Sequence, residues 1–390
     1  MPPSAKASFS LPEIINFLDS NILEVTTVKL NQDHKPHKEL NQSLFLITAK
    51  ENYTDFDFLI DYLNNHQDEV ESALRNYGAV AIRGYEVKTP EQFQQVGLNI
   101  FPELRNQYPG GAPRHQVTEY VWTASELPSY LTISGHTELS SSPSNQPDYI
   151  LFFCPQVARS GGETPVIDMK SVLSDLPEQL QQKCSHTRFV TKFYWANTQK
   201  RLFDVRLWKW PWFRFPKSWK AVFNTEDKSL VEAKCFETGR QTEWLANDDL
   251  IACCPMEIVT SHPMTSETLW NGWFPRFHIW GTSIEASFVA KSQGSFRSWL
   301  VFLILFLITF GQICVEKIIP QQRKYRYLDV VFEDGSDLSF WDVYHIVKSY
   351  WKNAELFSWQ EGDIVILDNY RMGHGRLPFT GERKVYLAFY

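Results

Sequence analysis

The C-terminal stretch 359–390 holds one histidine and several arginines between two β-like runs. In the second run Arg383 alternates in phase with the apolar residues, so the period of two that strands have points it towards the interior. A buried guanidinium keeps its charge and needs an anion, which is either a protein carboxylate or the carboxylate of a ligand. His374 lies one loop earlier and can enter the same cavity. These two residues suggest a metal ligand beside an arginine that holds a carboxylate cosubstrate.

A metal needs further ligands, and the pattern His-x-Asp/Glu can supply two from one extended segment. The chain contains it at His37/Glu39, His66/Asp68 and His136/Glu138. The first lies in a polar stretch, and the second lies in a predicted helix, where positions i and i+2 diverge around the axis. The third follows a β-like run and precedes a loop rich in Ser, Pro and Asn, which favours His136 and Glu138 as ligands.

The order of several motifs along the chain resembles that of one known family, the taurine dioxygenase/clavaminate synthase-like (TauD/TfdA-like) group of Fe(II)- and 2-oxoglutarate-dependent oxygenases. The resemblance extends over roughly Tyr77 to Tyr390. The motifs are His136-Thr137-Glu138, Gly161-Gly162-Glu163-Thr164-Pro165, Asp368-Asn369, His374-Gly375-Arg376 and Arg383.

The resemblance implies that His136, Glu138 and His374 are the iron-binding and catalytic facial triad, which leaves positions on Fe(II) for 2-oxoglutarate and oxygen. It also implies that Arg383 pairs with the distal carboxylate of 2-oxoglutarate, and that the hydroxyl of Thr164 adds a hydrogen bond to it. Most members have Asp where this chain has Glu138. A carboxylate ligand of either kind is expected in a hydroxylase or desaturase, because the halogenases of the superfamily replace it with a small residue.

The activity implied is hydroxylation or desaturation of a small organic substrate, either an amino-acid derivative or a natural-product intermediate, with release of succinate and CO2. Taurine is disfavoured, because Leu387 stands where taurine-specific relatives carry an arginine that holds the sulfonate. Two alternatives remain. One is a catalytically silent, metal-binding member that acts as a binding module, and the other is a non-oxidative cupin-like metalloenzyme. Cosubstrate binding by Arg383 and Thr164 would distinguish the oxygenase from the second alternative.

Three neighbouring residues have structural interpretations. Arg376 is predicted to hold its loop by pairing with Asp368. Glu163 is predicted to orient a ligand, and Asn369 is equally well explained as a turn former.

The resemblance implies an α+β fold with a mainly β core, a double-stranded β-helix (jelly roll) flanked by helices. Residues 55–77 have helical spacing, with Gly78 placed to end the helix, and Thr89 to Gln92 forms a capping signal for the next helix. We expect an N-terminal extension over 1–50 and a single oxygenase domain over 51–390, with insertions near 199–219 and 290–320.

The formal net charge of −7 and pI near 5.8 argue against nucleic acid as the main partner. The six cysteines have no framework spacing, and the N-terminus lacks the apolar segment of a secretory signal. Both observations favour a cytoplasmic protein with reduced thiols.

Two apolar stretches stand out within the expected insertions. Residues 207–219 are rich in tryptophan and phenylalanine, which suits a substrate lid, a membrane-surface element or a packed insertion. Residues 299–310 are apolar except for one threonine, a length more typical of core helices than of membrane spans. We interpret this run as a buried or dimer-forming helix in a homo-oligomer, with membrane association through 299–315 as the alternative.

Overall fold

The computed structural model describes residues 23–27, 44–49, 53–108, 114–124, 127–140, 143–198, 218–271 and 275–390. The aromatic stretch 207–219 therefore lies almost wholly outside the described residues, as do His37 and Glu39. The strands of the described part are β1 Leu23–Thr27, β2 Phe45–Ala49, β3 Ala79–Arg83, β4 Trp122–Thr123, β5 Ile133–His136, β6 Tyr149–Gln156, β7 Ser160–Gly161, β8 Thr164–Asp168, β9 Arg188–Trp195, β10 Gln241–Trp244, β11 Leu250–Glu257, β12 Val259–Ser261, β13 Thr268–Trp270, β14 Leu328–Phe332, β15 Ala354–Phe357, β16 Ile364–Asp368, β17 Met372–Arg376, β18 Phe379–Thr380 and β19 Lys384–Phe389.

The α-helices of the same residues are α1 Phe56–Asn65, α2 Gln67–Tyr77, α3 Pro90–Ile100, α4 Met169–Ser174, α5 Glu178–Ser185, α6 Trp219–Phe223, α7 Lys228–Glu237, α8 Gly281–Gln293, α9 Phe296–Ile318 and α10 Phe340–Lys352. Short 3-10 helices cover Pro143–Asn145, Pro275–Phe277 and Pro320–Tyr325.

The predicted α+β class is confirmed, with mainly antiparallel sheets. A seven-stranded sheet has the order β1-β2-β3-β16-β6-β19-β4, and a four-stranded sheet has the order β15-β8-β17-β5. A second four-stranded sheet is β10-β11-β9-β14, and two strand pairs, β12-β13 and β18-β7, complete the described set. Among the described strands, every pairing is antiparallel except that of β2 with β3.

Strand β6 shows how the seven-stranded sheet separates two cores. Its alternate residues Ile150, Phe152 and Cys154 form an apolar cluster, the inner cluster, with residues of β8, β15 and β17. The seven-stranded sheet and the sheet β15-β8-β17-β5, the two large sheets, therefore face each other across this apolar layer. Leu151 and Phe153 point to the other side and pack against α1, α2 and α3. The period of two predicted for the last strand holds as well, because Val385 and Leu387 lie in the inner cluster.

The predicted capping signals form as expected, with one correction. Thr89 and Gln92 make a reciprocal capping box at the start of α3, and Gly78 ends α2 in the left-handed conformation. The single helix predicted over 55–77 is wrong, because the chain divides at His66. There the backbone N–H donates to the carbonyl of Leu63 and ends α1, while the ring stacks on Tyr62.

Helix α9 corrects one of the two interpretations of the apolar run at 299–310. The run does form a helix, but the buried helix is wrong, because only Ser298 and Thr309 are buried along Phe296–Ile318. The dimer-forming helix stays a prediction. The hydropathy of a segment indicates that its side chains are apolar, but it does not show whether the rest of the chain covers them.

Candidate active site

His136 ends strand β5 and is oriented by a local contact. Its Nδ1 donates to the carbonyl oxygen of Ser134 at 2.9 Å, since a carbonyl can only accept. A neutral ring that donates from Nδ1 carries its lone pair on Nε2, the atom that can bind a metal. The Nε2 atom lies 3.7 Å from Oε2 of Glu138, so the His-x-Glu pair converges as the sequence predicts.

His374 lies on β17, directly opposite His136 in the pairing of β17 with β5. The two imidazole rings are 4.5 Å apart between centroids. The approach depends on Gly375, where an added Cβ would lie 2.5 Å from the carbonyl oxygen of Ile133. Burial, followed by the nearby His136, lowers the pKa of His374 well below its usual value, although Glu138 opposes this. The ring is therefore neutral, which is the form that binds metal.

The backbone of Glu138 is held by Asn369. The side-chain oxygen of Asn369 accepts from the Glu138 N–H at 2.7 Å, and its amide nitrogen donates to the carbonyl oxygens of Glu138 and Pro147 at 2.9 and 3.0 Å. Asn369 is fully buried. It therefore joins the loop after β16 to the segment after β5, a more specific role than the turn former considered for it.

The carboxylate of Glu138 has two further partners. Tyr108 donates its hydroxyl to Oε1 and Arg114 donates Nη2 to Oε2, each at 3.0 Å. Burial would raise the pKa of Glu138, but the neighbouring His136 and the charge of Arg114 outweigh it and lower the pKa well below its usual range. Glu138 is therefore an ionised, oriented carboxylate.

The ligand atoms of His136, Glu138 and His374 all lie within 4.8 Å of one another. Two imidazoles and one carboxylate are the donor set of the 2-His-1-carboxylate triad that binds Fe(II) and leaves coordination positions open. The residues therefore fit the iron that the resemblance implies.

Arg383 lies beside the strand pair β7-β18. Its Cδ and Nε are 3.2 Å from the Cβ that would be added at Gly162, and its guanidinium is 5.7 Å from the centre of the Phe379 ring. Burial lowers the pKa of Arg383, with weak opposition from Cys154 and Glu163. Among the described residues it makes no hydrogen bond or ion pair with a carboxylate. A largely buried cation of this kind suits the carboxylate of a ligand.

Thr164 begins β8 and is buried. Its hydroxyl oxygen accepts a hydrogen bond from the indole N–H of Trp359 at 2.9 Å, which leaves the hydroxyl proton available to a ligand. In the preceding residue, Oε2 of Glu163 is buried without a hydrogen-bond partner among the described residues. The role predicted for Glu163 stays a prediction.

The predicted pairing of Arg376 with Asp368 is wrong. Arg376 instead donates to the carbonyl oxygens of Leu127, Pro128 and Leu131 at 2.8 to 3.1 Å, so it does hold a loop, but a different one. Asp368 accepts from Nε2 of His262 at 2.8 Å.

Tyr108, Arg114 and the role of Asn369 were not found from the sequence. Tyr108 and Arg114 lie 30 and 24 residues before Glu138, and no spacing rule links them to it. The available signal was weak: in the sequence, an arginine follows a tyrosine after the five residues Pro-Gly-Gly-Ala-Pro.

The two facing antiparallel sheets and the triad at their edge define the class of non-haem iron oxygenases. The family described as "Taurine catabolism dioxygenase TauD, TfdA family" matches residues 38–246 and 340–389. The chain belongs to this family. It is accordingly an oxidoreductase of the dioxygenase type, with Fe(II) as its metal and 2-oxoglutarate as its cosubstrate.

The individual relatives share about a quarter of their residues with this chain or fewer. The dapdiamide synthesis protein DdaC of Enterobacter agglomerans is 27% identical over 343 residues, which cover 88% of this chain and 89% of that protein. A clavaminate synthase-like protein of Arabidopsis thaliana is 26% identical over 321 residues, or 81% of this chain and 82% of the relative. Among solved structures, PvcB, an iron- and alpha-ketoglutarate-dependent oxygenase from an isonitrile synthetic pathway, aligns with a TM-score of 0.50 at 11% identity. That alignment covers 94% of this chain and 91% of PvcB.

Proposed function

We propose that this protein oxidises a C–H bond of a small organic substrate, an amino-acid derivative or a natural-product intermediate, by hydroxylation or desaturation. The observation that carries the proposal is the convergence of His136, Glu138 and His374, together with a largely buried Arg383 that pairs with no protein carboxylate among the described residues. For hydroxylation, substrate, oxygen and 2-oxoglutarate give hydroxylated substrate, succinate and CO2.

When bound, Fe(II) and 2-oxoglutarate would supply the oxidation chemistry. His136, Glu138 and His374 would hold the metal, with His136 oriented by Ser134 and Glu138 by Asn369. Arg383 would pair with the distal carboxylate of the cosubstrate, and Thr164 would add its hydroxyl proton. We also propose that the two facing sheets form the double-stranded β-helix and place these groups at its open end.

The substrate class rests on two observations. Leu387 packs in the inner apolar cluster, at the position where an arginine would be needed to hold a sulfonate as in taurine-specific relatives. The similarity to a dapdiamide synthesis protein supports a biosynthetic substrate. Mass spectrometry would separate the two outcomes, because hydroxylation adds one oxygen atom and desaturation removes two hydrogen atoms.

The first test is an anaerobic titration of the apoprotein with Fe(II) and then with 2-oxoglutarate, followed by visible absorption. We expect the weak charge-transfer band of a chelated 2-oxo acid in the wild type and its loss in His136→Ala, since that variant lacks one metal ligand. Lys384→Ala, at an exposed position, provides the control. Full succinate release by His136→Ala would remove the triad assignment, and iron binding without the band would favour the non-oxidative metalloenzyme.

A second variant tests the cosubstrate role of Arg383. Arg383→Ala should raise the 2-oxoglutarate concentration needed for half-maximal succinate release at least tenfold, because an ionised hydrogen-bond partner contributes roughly 1.5–3 kcal/mol. Its affinity for Fe(II) should stay within about twofold of the wild type, since Arg383 is not a metal ligand. An unchanged 2-oxoglutarate requirement would refute the assignment.

A further inference from the structure

Helix α9 exposes an apolar surface that the oxygenase function does not use. Its 23 residues make it about 34 Å long. Among the described residues it is the one helix long and apolar enough to cross a membrane by length and composition. Eleven large apolar residues at 296–319 are more than a third exposed: Phe296, Trp299, Leu300, Leu303, Phe306, Leu307, Ile308, Phe310, Val315, Ile318 and Ile319.

The surrounding pairings do not allow α9 to cross a bilayer. Strand β14, which follows it, pairs with β9, which precedes it. Strand β17, which carries His374, pairs with β5, which carries His136. A crossing helix would separate both pairs across the membrane. Both ends of α9 therefore stay on one side, and the helix lies along the surface of the domain.

The distribution of polar residues along α9 is the reverse of that in a water-exposed helix. Its two buried residues, Ser298 and Thr309, are polar, whereas its large apolar side chains face outwards. Ser298 bonds to Gln293, whose amide donates to the carbonyl of Pro378, so the start of α9 is tied to the domain. Along the helix, Phe306 packs on Trp280 of the domain at 6.3 Å between ring centroids.

The width of the apolar surface indicates what covers it. At 3.6 residues per turn, the exposed apolar positions extend over roughly two thirds of the helix circumference. A helix of a second copy would cover a stripe of about 100° and leave the rest in water. A lipid phase covers the whole arc.

The charges around α9 point to the same occupant. Residues 291–327 contain six basic residues and one acidic residue, in a chain whose formal net charge is −7. Two of the six, Arg323 and Arg326, are paired with Glu316 and with Asp329 and Asp337, which follow this segment. Exposed cations lie at both ends of the helix, Lys291 and Arg297 at the start and Lys317 and Lys324 at the end. Each basic side chain near an anionic membrane surface contributes about 1 kcal/mol.

Aromatic residues extend the surface beyond α9. Trp280 contacts Phe340 at the start of α10 with ring centroids 5.0 Å apart, and Phe340 contacts Trp341, which is 63% exposed. Tryptophan favours the boundary between acyl chains and headgroups. The two segments that match the family, 38–246 and 340–389, leave α9 in the interval between them, so the family match does not account for this surface.

We propose that α9 docks the enzyme on an anionic lipid membrane, lying in the membrane plane with its apolar side among the acyl chains and its basic ends on the headgroups. The protein is then a peripheral membrane oxygenase that binds from one side of the bilayer.

Co-sedimentation of the full chain with vesicles tests the proposal. Two kinds of vesicle are compared, one of phosphatidylcholine alone and one that also contains phosphatidylserine. Three proteins are tested on each: wild type, the α9 variant Leu303→Glu/Leu307→Glu, and the matched control Leu230→Glu/Met264→Glu. The control changes two apolar residues that are exposed elsewhere, on α7 and in the loop between β12 and β13. We expect wild type and control to bind anionic vesicles, and the α9 variant to bind about tenfold more weakly or worse.

Two further measurements complete the test. Lys317→Gln/Lys324→Gln should weaken binding to anionic vesicles and leave binding to neutral ones unchanged. Iron binding by the α9 variant should equal that of wild type, which shows that it folds and separates this test from that of the catalytic proposal. Equal vesicle binding by the α9 variant and wild type would overturn the proposal. The proposal would also be overturned if the wild type binds no vesicles but forms a dimer, and the α9 variant is monomeric. A second copy of the chain would then cover α9.

Discussion

At the scale of single residues, Glu138 shows how completely one ligand is fixed. Asn369 holds its backbone on both sides, and Tyr108 and Arg114 each hold one carboxylate oxygen. A carboxylate that could rotate would lose orientation entropy when it bound a metal. The surrounding contacts remove that freedom during folding, as groups behind metal ligands commonly do.

Asn369→Ala tests this arrangement. The substitution leaves the buried N–H and carbonyl of Glu138 without their partner, and we expect the Fe(II) affinity to fall roughly tenfold to a hundredfold. The stability of the apoprotein should fall by about 1–3 kcal/mol for the unsatisfied groups. Metal titration and urea unfolding measure the two effects, with Asn64→Ala, at an exposed position of α1, as the control. Wild-type iron affinity in Asn369→Ala would contradict a positioning role.

Glu285 is a second residue with an unusual environment. It lies on α8, buried, and accepts a hydrogen bond from the hydroxyl of Ser134, two residues before His136. Burial raises its pKa to about 7, against the opposing effects of Ser134 and Arg276. In the unfolded chain its pKa returns to about 4.3, so between these values the folded protein binds more protons. Its contribution to stability is complete below about pH 4 and is lost as pH rises through 7.

Glu285→Gln removes this titration and keeps an oxygen that Ser134 can bond. We expect the free energy of unfolding of the variant, relative to wild type, to increase from pH 5 to about pH 7 and to level off above that. Urea unfolding at intervals of one pH unit measures it, and Glu237→Gln, an exposed carboxyl on α7, should show no such trend. Parallel pH profiles for Glu285→Gln and wild type would show that the carboxyl does not titrate in this range.

At the scale of elements, the pairing of β5 with β17 assembles the metal site. His136 and His374 are 238 residues apart and face each other only because the two strands lie side by side. Gly375 allows that approach, since a Cβ there would overlap the Ile133 carbonyl. The register therefore fixes the separation of the two imidazoles.

Gly375→Ala should push β17 away from β5. A backbone atom cannot give way as a flexible side chain can, so we expect a loss of about 1–3 kcal/mol in stability and at least tenfold in iron affinity. Gly311→Ala is the matched control. It lies in α9 with no atom within 4 Å of the added Cβ, and should be neutral or stabilising by up to about 1 kcal/mol. Equal effects of the two substitutions in thermal unfolding and iron titration would contradict the packing argument.

At the scale of the whole molecule, the cores share strands. Val166 and Ile167 are neighbours on β8, yet the first packs between the two large sheets and the second packs against α4 and α10. Strand β6 joins the inner core to the layer under α1, α2 and α3 in the same way. No strand of this kind can be removed from one core without disturbing another. One domain over 51–390 stays a prediction, and these shared strands are the reason to test it by unfolding.

Unfolding should accordingly be cooperative. Tryptophan fluorescence and far-ultraviolet circular dichroism should give coincident urea transitions for the apoprotein. Saturating Fe(II) should move both transitions together to higher urea, because only the folded chain brings the three ligands together. Two separated transitions would show that the chain contains more than one unit. The cytoplasmic location stays a prediction, and docking through α9 is compatible with it.

Much of the site was predictable from the sequence. The order of His136, Glu138, His374 and Arg383 identified the family and its cofactors. Local rules predicted the cap at Thr89, the helix end at Gly78 and the alternation of the last strand. These features depend on steric and hydrogen-bonding effects within a few residues, and the sequence records such effects directly.

Tertiary structure decided which distant groups meet. Asp368 bonds to His262 and not to Arg376, and Tyr108 and Arg114 reach Glu138 from a separate loop. The exposure of α9 is of the same kind. The sequence showed that α9 is apolar, because hydropathy belongs to each side chain. Only the folded chain showed that its apolar side faces outwards, because burial depends on which surfaces the rest of the molecule has already covered.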